Sequence, residues 1–424
     1  MDFALGVIIF ILGLLVSIAL HEVGHLVPAK RFGVKVPEYF VGFGRTLWST
    51  TRGETEYGIK ALPLGGYVRL AGMYPPARRT DGRNTLVEEA RAEARADLRP
   101  GEEHRAFSAL SVPRKIVVML GGPLMNLAIA AVLLTVMISG IGSVPAYTTT
   151  IATVQECLPA ETAAACDAPP AAVAGFRPGD TVVSWGGVPV ATWADVTTLI
   201  RDGGTAATDV VVRRDGAEVT LSVAPAEVER PVYDDGGAPV LSDGEPVTEL
   251  VPYVGIGPRT VLEPQPLSTV PPVFWDITVQ TVSLIPQLPV LLWDVVESLV
   301  TGEERTGGVL GPVGVGRAAG EIASASSASY GLEARVFDML GLLVSLNVAL
   351  FAFNLIPLPP LDGGHVAGAA VEGTRRTLAR VAGRADPGPV DMARVLPLTY
   401  VVVTLLIGMG VLLAFADIVR PVTF

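Results

Sequence analysis

Cysteine and histidine are scarce in this 424-residue chain, at two and four residues, and charged side chains make up only 17% of it. Two cysteines cannot build a disulfide-stapled scaffold. So little charge beside 50% hydrophobic residues and a mean hydropathy of +0.48 is the composition of a membrane protein, not of an ordinary cytosolic enzyme. The net charge is -11 and no basic tract is interleaved with aromatics, so nothing here is suited to nucleic acid. Collagen-like and coiled-coil classes are excluded as well.

What the chain does have is long apolar runs. Four of them, near Phe3–Leu20, Ile116–Ile138, Val336–Phe353 and Val395–Ala416, are long enough to cross a hydrocarbon core of ~30 Å. No small-residue cleavage site closes the first run before Lys30, which predicts a retained span and not a removable signal peptide. Of the 31 Lys and Arg, 16 lie between His21 and Lys115, all four lysines among them, and 5 between Leu361 and Arg394. Basic loops mark the cytosolic side. Both termini are then expected outside, together with the acidic stretch Ser143–Arg335, which holds 9 Arg against 24 Asp and Glu. Pro272–Val300 is apolar and carries Trp275 and Trp293. Its Asp276, Asp294, Glu297, Pro286 and Pro289 predict helices lying on the outer membrane surface and not a fifth span. Cys157 and Cys166 fall on the same oxidising side and are expected to pair.

At the inner end of the first run stands His21-Glu22-Val23-Gly24-His25. Residues four apart share a helix face, so both histidines can ligate one zinc while Glu22 serves as general base. Placing three ionisable side chains at the end of an apolar span is costly on insertion scales, by up to ~2.5–3.5 kcal/mol for a mid-membrane charge. That cost argues for a function. A catalytic zinc needs a third protein ligand. His104 sits in a charged cytosolic stretch and reads as a surface residue. The third run ends in Asn354-Leu355-Ile356-Pro357-Leu358-Pro359-Pro360-Leu361-Asp362-Gly363-Gly364-His365, where the prolines must unwind the helix. This segment and His21–His25 both lie about 18 residues from the outer face, hence at a common depth of ~27 Å. On spacing alone, Asp362 and His365 are equally placed as third ligand.

Taken together these residues resemble the site-2 protease family, intramembrane zinc metalloproteases of regulated intramembrane proteolysis, in its bacterial branch with a PDZ domain. The resemblance rests on the His-Glu-x-x-His at 21–25 and the Asn-x-x-Pro-x-Pro-x-Leu-Asp-Gly-Gly from Asn354 to Gly364. Pro63-Leu64-Gly65-Gly66-Tyr67-Val68 and Gly122-Pro123-Leu124-Met125-Asn126 add to it. It implies one Zn2+ per chain held by His21, His25 and Asp362, with Glu22 as base and Asn354 helping to hold the oxyanion. Between Val41 and Leu70 the alternation in Tyr57-Gly58-Ile59-Lys60-Ala61 and the turn-like Arg52-Gly53 predict a β-hairpin ended by Gly65-Gly66; its family analogue is a membrane-associated hairpin beside the site, through which Tyr57, Ile59, Gly65 and Gly66 would bind an unwound substrate as an added strand. Partners implied are the lipid bilayer, single-pass membrane protein substrates such as anti-sigma factors, and an upstream site-1-type protease acting first. The implied location is the bacterial plasma membrane. Asn347, one helical face away from Asn354, reads as a helix–helix hydrogen-bonding residue.

The expected fold is a polytopic α-helical membrane protein with four transmembrane helices, a membrane-associated β-hairpin and one extracytoplasmic PDZ domain. The boundaries are 1–30 for the first span, 31–75 for the hairpin region, 76–115 for a charged, solvated cytosolic insertion and 116–142 for the second span. The PDZ domain takes 143–258, carried by Gly175-Phe176-Arg177-Pro178-Gly179-Asp180, a helix over Thr192–Ile200 and strands Asp209–Arg213 and Val219–Val223 joined at Asp215-Gly216. Amphipathic helices and a Gly-Pro-rich linker, Gly307–Gly316, occupy 259–335. The third span and its Pro-Leu-Asp-Gly segment cover 336–366, a cytosolic loop 367–394 and the fourth span 395–424. Three other functions fit less well. A metallopeptidase of soluble chains usually draws its third ligand from a helix. A catalytically silent PDZ scaffold has no reason to bury Glu22 and Asp362 at one depth, and a zinc transporter needs more than four histidines.

Overall fold

The computed structural model describes residues 3–76, 85–158, 167–231, 241–242, 245–302, 305, 309–325 and 331–422. The chain divides into two compact units, one of Met1–Gly140, Pro266–Ala325 and Arg335–Phe424, the other of Ile141–Gln265 and Ser326–Ala334.

In the first unit, helix α1 (Phe3–Arg31) leads into strands β1 (Glu38–Arg52) and β2 (Thr55–Arg69), then helices α2 (Thr85–Ala96) and α3 (Val112–Thr135), the last continuing as a π-helical turn, Val136–Ile141. Ile8, Leu12 and Val16 of α1 are exposed while Ser17, Glu22 and His25 are buried. That inverts the pattern of a water-soluble helix and suits a lipid surround. α1 and α3 cross with backbones touching: a Cβ at Gly24 or Gly121 would run into the main chain of the other. Small residues of this kind let membrane helices approach closely.

The hairpin turns at Gly53 as expected, but its strands are long and curl. Residues 38–41 of β1 face 56–59 on one side and 66–69 on the other, while 46–52 face 55–60. Four rows result, with 66–69 at an edge. Exposed Leu47, Trp48 and Leu62 make the far end apolar. The insertion expected to be solvated carries α2, and this helix is docked: Val87 and Arg91 are buried, and Arg91 pairs with Asp391. Residues 77–84 of that insertion lie outside the described residues.

The second unit is α+β. Its elements are β3 (Val144–Val154), α4 (Pro170–Ala174), β4 (Thr181–Trp185), β5 (Val188–Pro189), α5 (Trp193–Gly203), β6 (Thr208–Arg214), β7 (Ala217–Val223), β8 (Ala226–Pro231), β9 (Leu241–Ser242), β10 (Glu245–Pro246), β11 (Thr248–Tyr253) and β12 (Ile256–Glu263). The main sheet runs β12-β3-β4-β6-β7, with β5 on β4 and a separate β8–β11 ladder. Thr192 and Asp195 form a reciprocal capping box that starts α5. Val196 and Ile200 of that helix join Ile151, Phe176, Trp185 and Val212 in the core. Asp180 is buried beneath Arg214, which donates to it from Nε and Nη2 at 2.7 Å each. Cys157 is disulfide-bonded; the chain's other cysteine, Cys166, falls in 159–166, outside the described residues, and on either side of that stretch the Leu158 N–H donates to the Asp167 carbonyl at 2.8 Å.

The first unit resumes with α6 (Val270–Leu284), α7 (Leu288–Thr301), α8 (Pro312–Ser324), α9 (Leu332–Asn354), α10 (Asp362–Val381) and α11 (Leu396–Val419). Gly307 and Gly308 of the Gly-Pro-rich element lie outside the described residues. Among the described residues five helical stretches are long and apolar enough to cross a membrane: the four expected and Leu267–Thr301, which contains α6 and α7. Val270 of α6 packs on Leu134 and Ile138 near the end of α3, and Val295 of α7 on Leu413 and Ala416 near the end of α11. The segment read as a loop after the prolines is instead mostly the 20-residue α10. Pro357, Pro359 and Pro360 stop α9, but no proline follows Asp362 until Pro387.

Candidate metal centre

His21 and His25 project from one face of α1, and Asp362 arrives as the first residue of α10. Their ligand atoms form a nearly equilateral triangle. His25 Nε2 lies 3.2 Å from His21 Nε2, and Asp362 Oδ2 lies 3.4 Å from His21 Nε2 and 3.3 Å from His25 Nε2. Three ligands at zinc bond lengths and tetrahedral angles stand about 3.3–3.4 Å apart. Two further observations fit a metal. Asp362 Oδ2 is buried without a hydrogen-bond partner, and Gly122 leaves an empty cradle: a Cβ there would lie 2.7 Å from His21 Nε2 and closer still to His25 Nε2.

The outer atoms of both rings are also held. His25 Nδ1–H donates to the Val118 carbonyl at 2.8 Å, which leaves Nε2 for ligation. The Asn126 amide lies 3.1 Å from His21 Nδ1, and its Oδ1 is otherwise buried and unpartnered. The two amide orientations are interchangeable. With Oδ1 toward the ring, it accepts from Nδ1–H and frees His21 Nε2. Both outer contacts come from α3, so the helix crossing that seats Gly122 also orients the histidines.

Glu22 is buried, with both histidines and Asp362 as its ionisable neighbours and the Val68 backbone N–H as a hydrogen-bond donor. A Cβ at Gly66 would stand 3.0 Å from Glu22 Cγ, so the edge row 66–69 runs along the acid. Gly65, at φ +104°, is held where a side chain would meet Phe43. Tyr57 and Ile59 are placed differently. They occupy an inner row, facing Tyr39 and Val41 on one side and Thr50 and Trp48 on the other, and the Tyr57 hydroxyl accepts from Lys30 at 2.7 Å. Their backbones have no free side for an added strand.

Asn354 is half-buried at the end of α9. The Leu355 and Ile356 carbonyls just beyond it press against Gly363. His365 is not part of the triangle and lines a small cavity with Lys115 and Glu372; His104 is exposed. Asn347 donates to Ser17 Oγ at 3.0 Å, joining α9 to α1. Asn126 was not singled out as a site residue by the sequence reading, although an amide inside an apolar run, in Gly122-Pro123-Leu124-Met125-Asn126, was the available signal.

A model of peptidase family M50 matches residues 9–385. The chain belongs to this family, the site-2 proteases. Among its relatives is the zinc metalloprotease Rip1 of Mycobacterium tuberculosis, 34% identical over 434 aligned positions that cover 100% of this chain and 99% of the relative. The metalloprotease MmpA of Caulobacter vibrioides is 27% identical, over 86% of this chain and 85% of its own. The zinc metalloprotease RasP of Oceanobacillus iheyensis is 27% identical, over 87% and 91%. The chain is thus an intramembrane zinc metalloprotease, and zinc is its cofactor.

Proposed function

We propose that this protein is an endopeptidase that cleaves transmembrane segments of single-pass membrane proteins after their exterior domains have been shed. The observation that carries the reading is Glu22, buried beside the triangle of His21, His25 and Asp362 at the inner end of an apolar helix. His21, His25 and Asp362 hold one zinc. Zinc bound there supplies Lewis acidity that makes water nucleophilic near neutral pH. Glu22 takes the proton of the attacking water and returns it to the leaving amine. Asn354 donates to the carbonyl oxygen as it gains charge. A substrate helix must unwind before its peptide bond is reachable, and the edge row 66–69, beginning at Gly66 against Glu22, offers it backbone partners.

In this reading four helices, α1, α3, α9 and α11, span a bacterial plasma membrane, with the zinc site toward the cytosol and both termini outside. α6 and α7 lie along the outer surface. Their packing supports this, because Val270 and Val295, near opposite ends of the pair, rest on the C-terminal parts of α3 and α11. Both those parts are exterior in the same topology. The second unit is a PDZ domain on that side, and it admits only substrates already trimmed by a site-1-type protease. The test is to offer purified protein a defined transmembrane substrate and a soluble one, with and without a zinc chelator. Chelator-sensitive cutting within the lipid-embedded segment is the expected result. Cutting of the soluble chain alone would overturn the proposal.

A further inference from the structure

Lys115 and Glu372 are 5% and 2% exposed, yet neither touches the zinc triangle. Lys115 Nζ donates to both oxygens of Glu372, at 3.1 and 2.9 Å. Arg376 adds a third contact at 3.1 Å, and the Val390 backbone N–H a fourth, also at 3.1 Å. One carboxylate therefore joins the start of α3, the middle of α10 and the segment that leads to α11. A buried ion pair is weak evidence for stability, since apolar residues of the same volume often do as well. Its better-attested use is to set register.

Asp362 depends on the register between two helices. His21 and His25 stand on one helix, so a single turn fixes their spacing. Asp362 comes from another helix, behind a proline-broken segment, so its position depends on what stops α10 from sliding. Gly363 and Gly364 seat the start of α10 on the backbone of the proline segment, and Val366 packs on the core that holds Val118 and Met119 of α3; farther along, the only other buried side chain before Glu372 is the small Ala369, which offers little ridge against an axial shift. α3, by contrast, is locked to α1 through Gly24 and Gly121, and it carries Gly122, Asn126 and the Val118 carbonyl of the zinc site. Glu372 is ten residues, ~15 Å, along the helix from Asp362.

We propose that Glu372, with Lys115, is a positioning residue: it fixes the axial register of α10 on α3 and thereby holds Asp362 Oδ2 where it completes the ligand triangle with the two histidines. This rests on the ligand assignment above. A slip of about 1 Å in such a site can cost on the order of 10²-fold in rate.

The test uses the full chain, purified with its zinc, and measures zinc affinity by chelator competition, the visible absorption of the cobalt-substituted protein, kcat and KM on a transmembrane substrate, and helical content. Glu372→Gln is expected to keep its helical content, to bind zinc roughly 10–100-fold more weakly, as loss of supporting contacts at metal sites does, and to lose kcat more than KM. Its cobalt spectrum should lose the intensity of tetrahedral coordination. Lys115→Arg keeps the pair and should retain parental affinity. The apolar double substitution Lys115→Met with Glu372→Leu separates register from space-filling, and covers the case in which Glu372→Gln does not fold. If it binds zinc and turns over like the parent, or if folded Lys115→Arg is as defective as Glu372→Gln, the proposal fails. Glu321→Gln, which breaks the exposed Arg317–Glu321 pair on α8, is the neutral control. Failure of the parent itself to need His21, His25 and Asp362 for zinc would instead overturn the ligand assignment.

Discussion

The missing side chain of Gly122 and Nε2 of His25 share one space: a methyl group at 122 would stand inside contact distance of the ring nitrogen, and only 2.7 Å from Nε2 of His21. A helix packing requirement alone would not aim that gap at two imidazoles. Gly122→Ala is therefore expected to abolish zinc binding while helical content persists. Zinc stoichiometry by atomic absorption, with circular dichroism on the same sample, checks it; a variant with a full equivalent of zinc would refute the cradle.

Residues at and near the site separate by role. Glu22→Gln should keep zinc and lose cleavage by roughly 10²–10⁴-fold, the range of general acid–base catalysis. Asp362→Ala should lose zinc, and His365→Ala, lining its own cavity, should keep it. Metal content beside rate for each variant decides the matter, and depletion in His365→Ala with full occupancy in Asp362→Ala would reverse the assignment.

Asn126→Ala leaves His21 Nδ1 without its partner, and zinc affinity should drop about 10–100-fold. Asn126→Asp supplies an acceptor in the same place and should lose less. Competition with a chromophoric chelator measures both.

In the second unit, burial alone would raise the Asp180 carboxyl. The hydrogen bonds from Arg214 and from the Arg177 backbone N–H outweigh that and hold its pKa below the ordinary value. A carboxylate depressed on folding contributes stability that is complete above its unfolded value of about 4 and disappears as pH falls through the lower folded value. Unfolding of this unit, followed through buried Trp185, should thus turn acid-sensitive only below about pH 4. Asp180→Asn should flatten that limb and cost about 1–3 kcal/mol at neutral pH. An unchanged acid limb in the variant would disprove the linkage.

In the proposed topology the second unit and the zinc site belong to opposite faces, and the proposed filter for substrates would account for the size of that unit. Deleting Thr148–Pro258 should let substrates be cut without prior shedding, read as cleavage of a full-length and a pre-trimmed substrate side by side. Folded deletion protein that still rejects the full-length substrate would leave the domain a docking or structural role.

Much of this was legible in the chain itself because it is local. The one-turn spacing of His21 and His25, the stop at Pro357-Leu358-Pro359-Pro360, the Asp215-Gly216 turn and the helix from Thr192 depend on backbone geometry within a few residues, and the long apolar runs depend on length and composition alone. Tertiary structure decided the rest. Spacing left Asp362 and His365 equal, and only the direction in which α10 leaves the proline segment puts Asp362 on the histidines and His365 in its own cavity. Alternation marked Tyr57 and Ile59 as strand, but the curl of β1 around them buries both sides of their backbone and moves the edge to Gly66–Arg69. Asn126, Gly122 and Glu372 acquire their places from helices that meet only after folding, through contacts between residues as far as 257 positions apart, and no periodicity within one segment encodes a meeting with another.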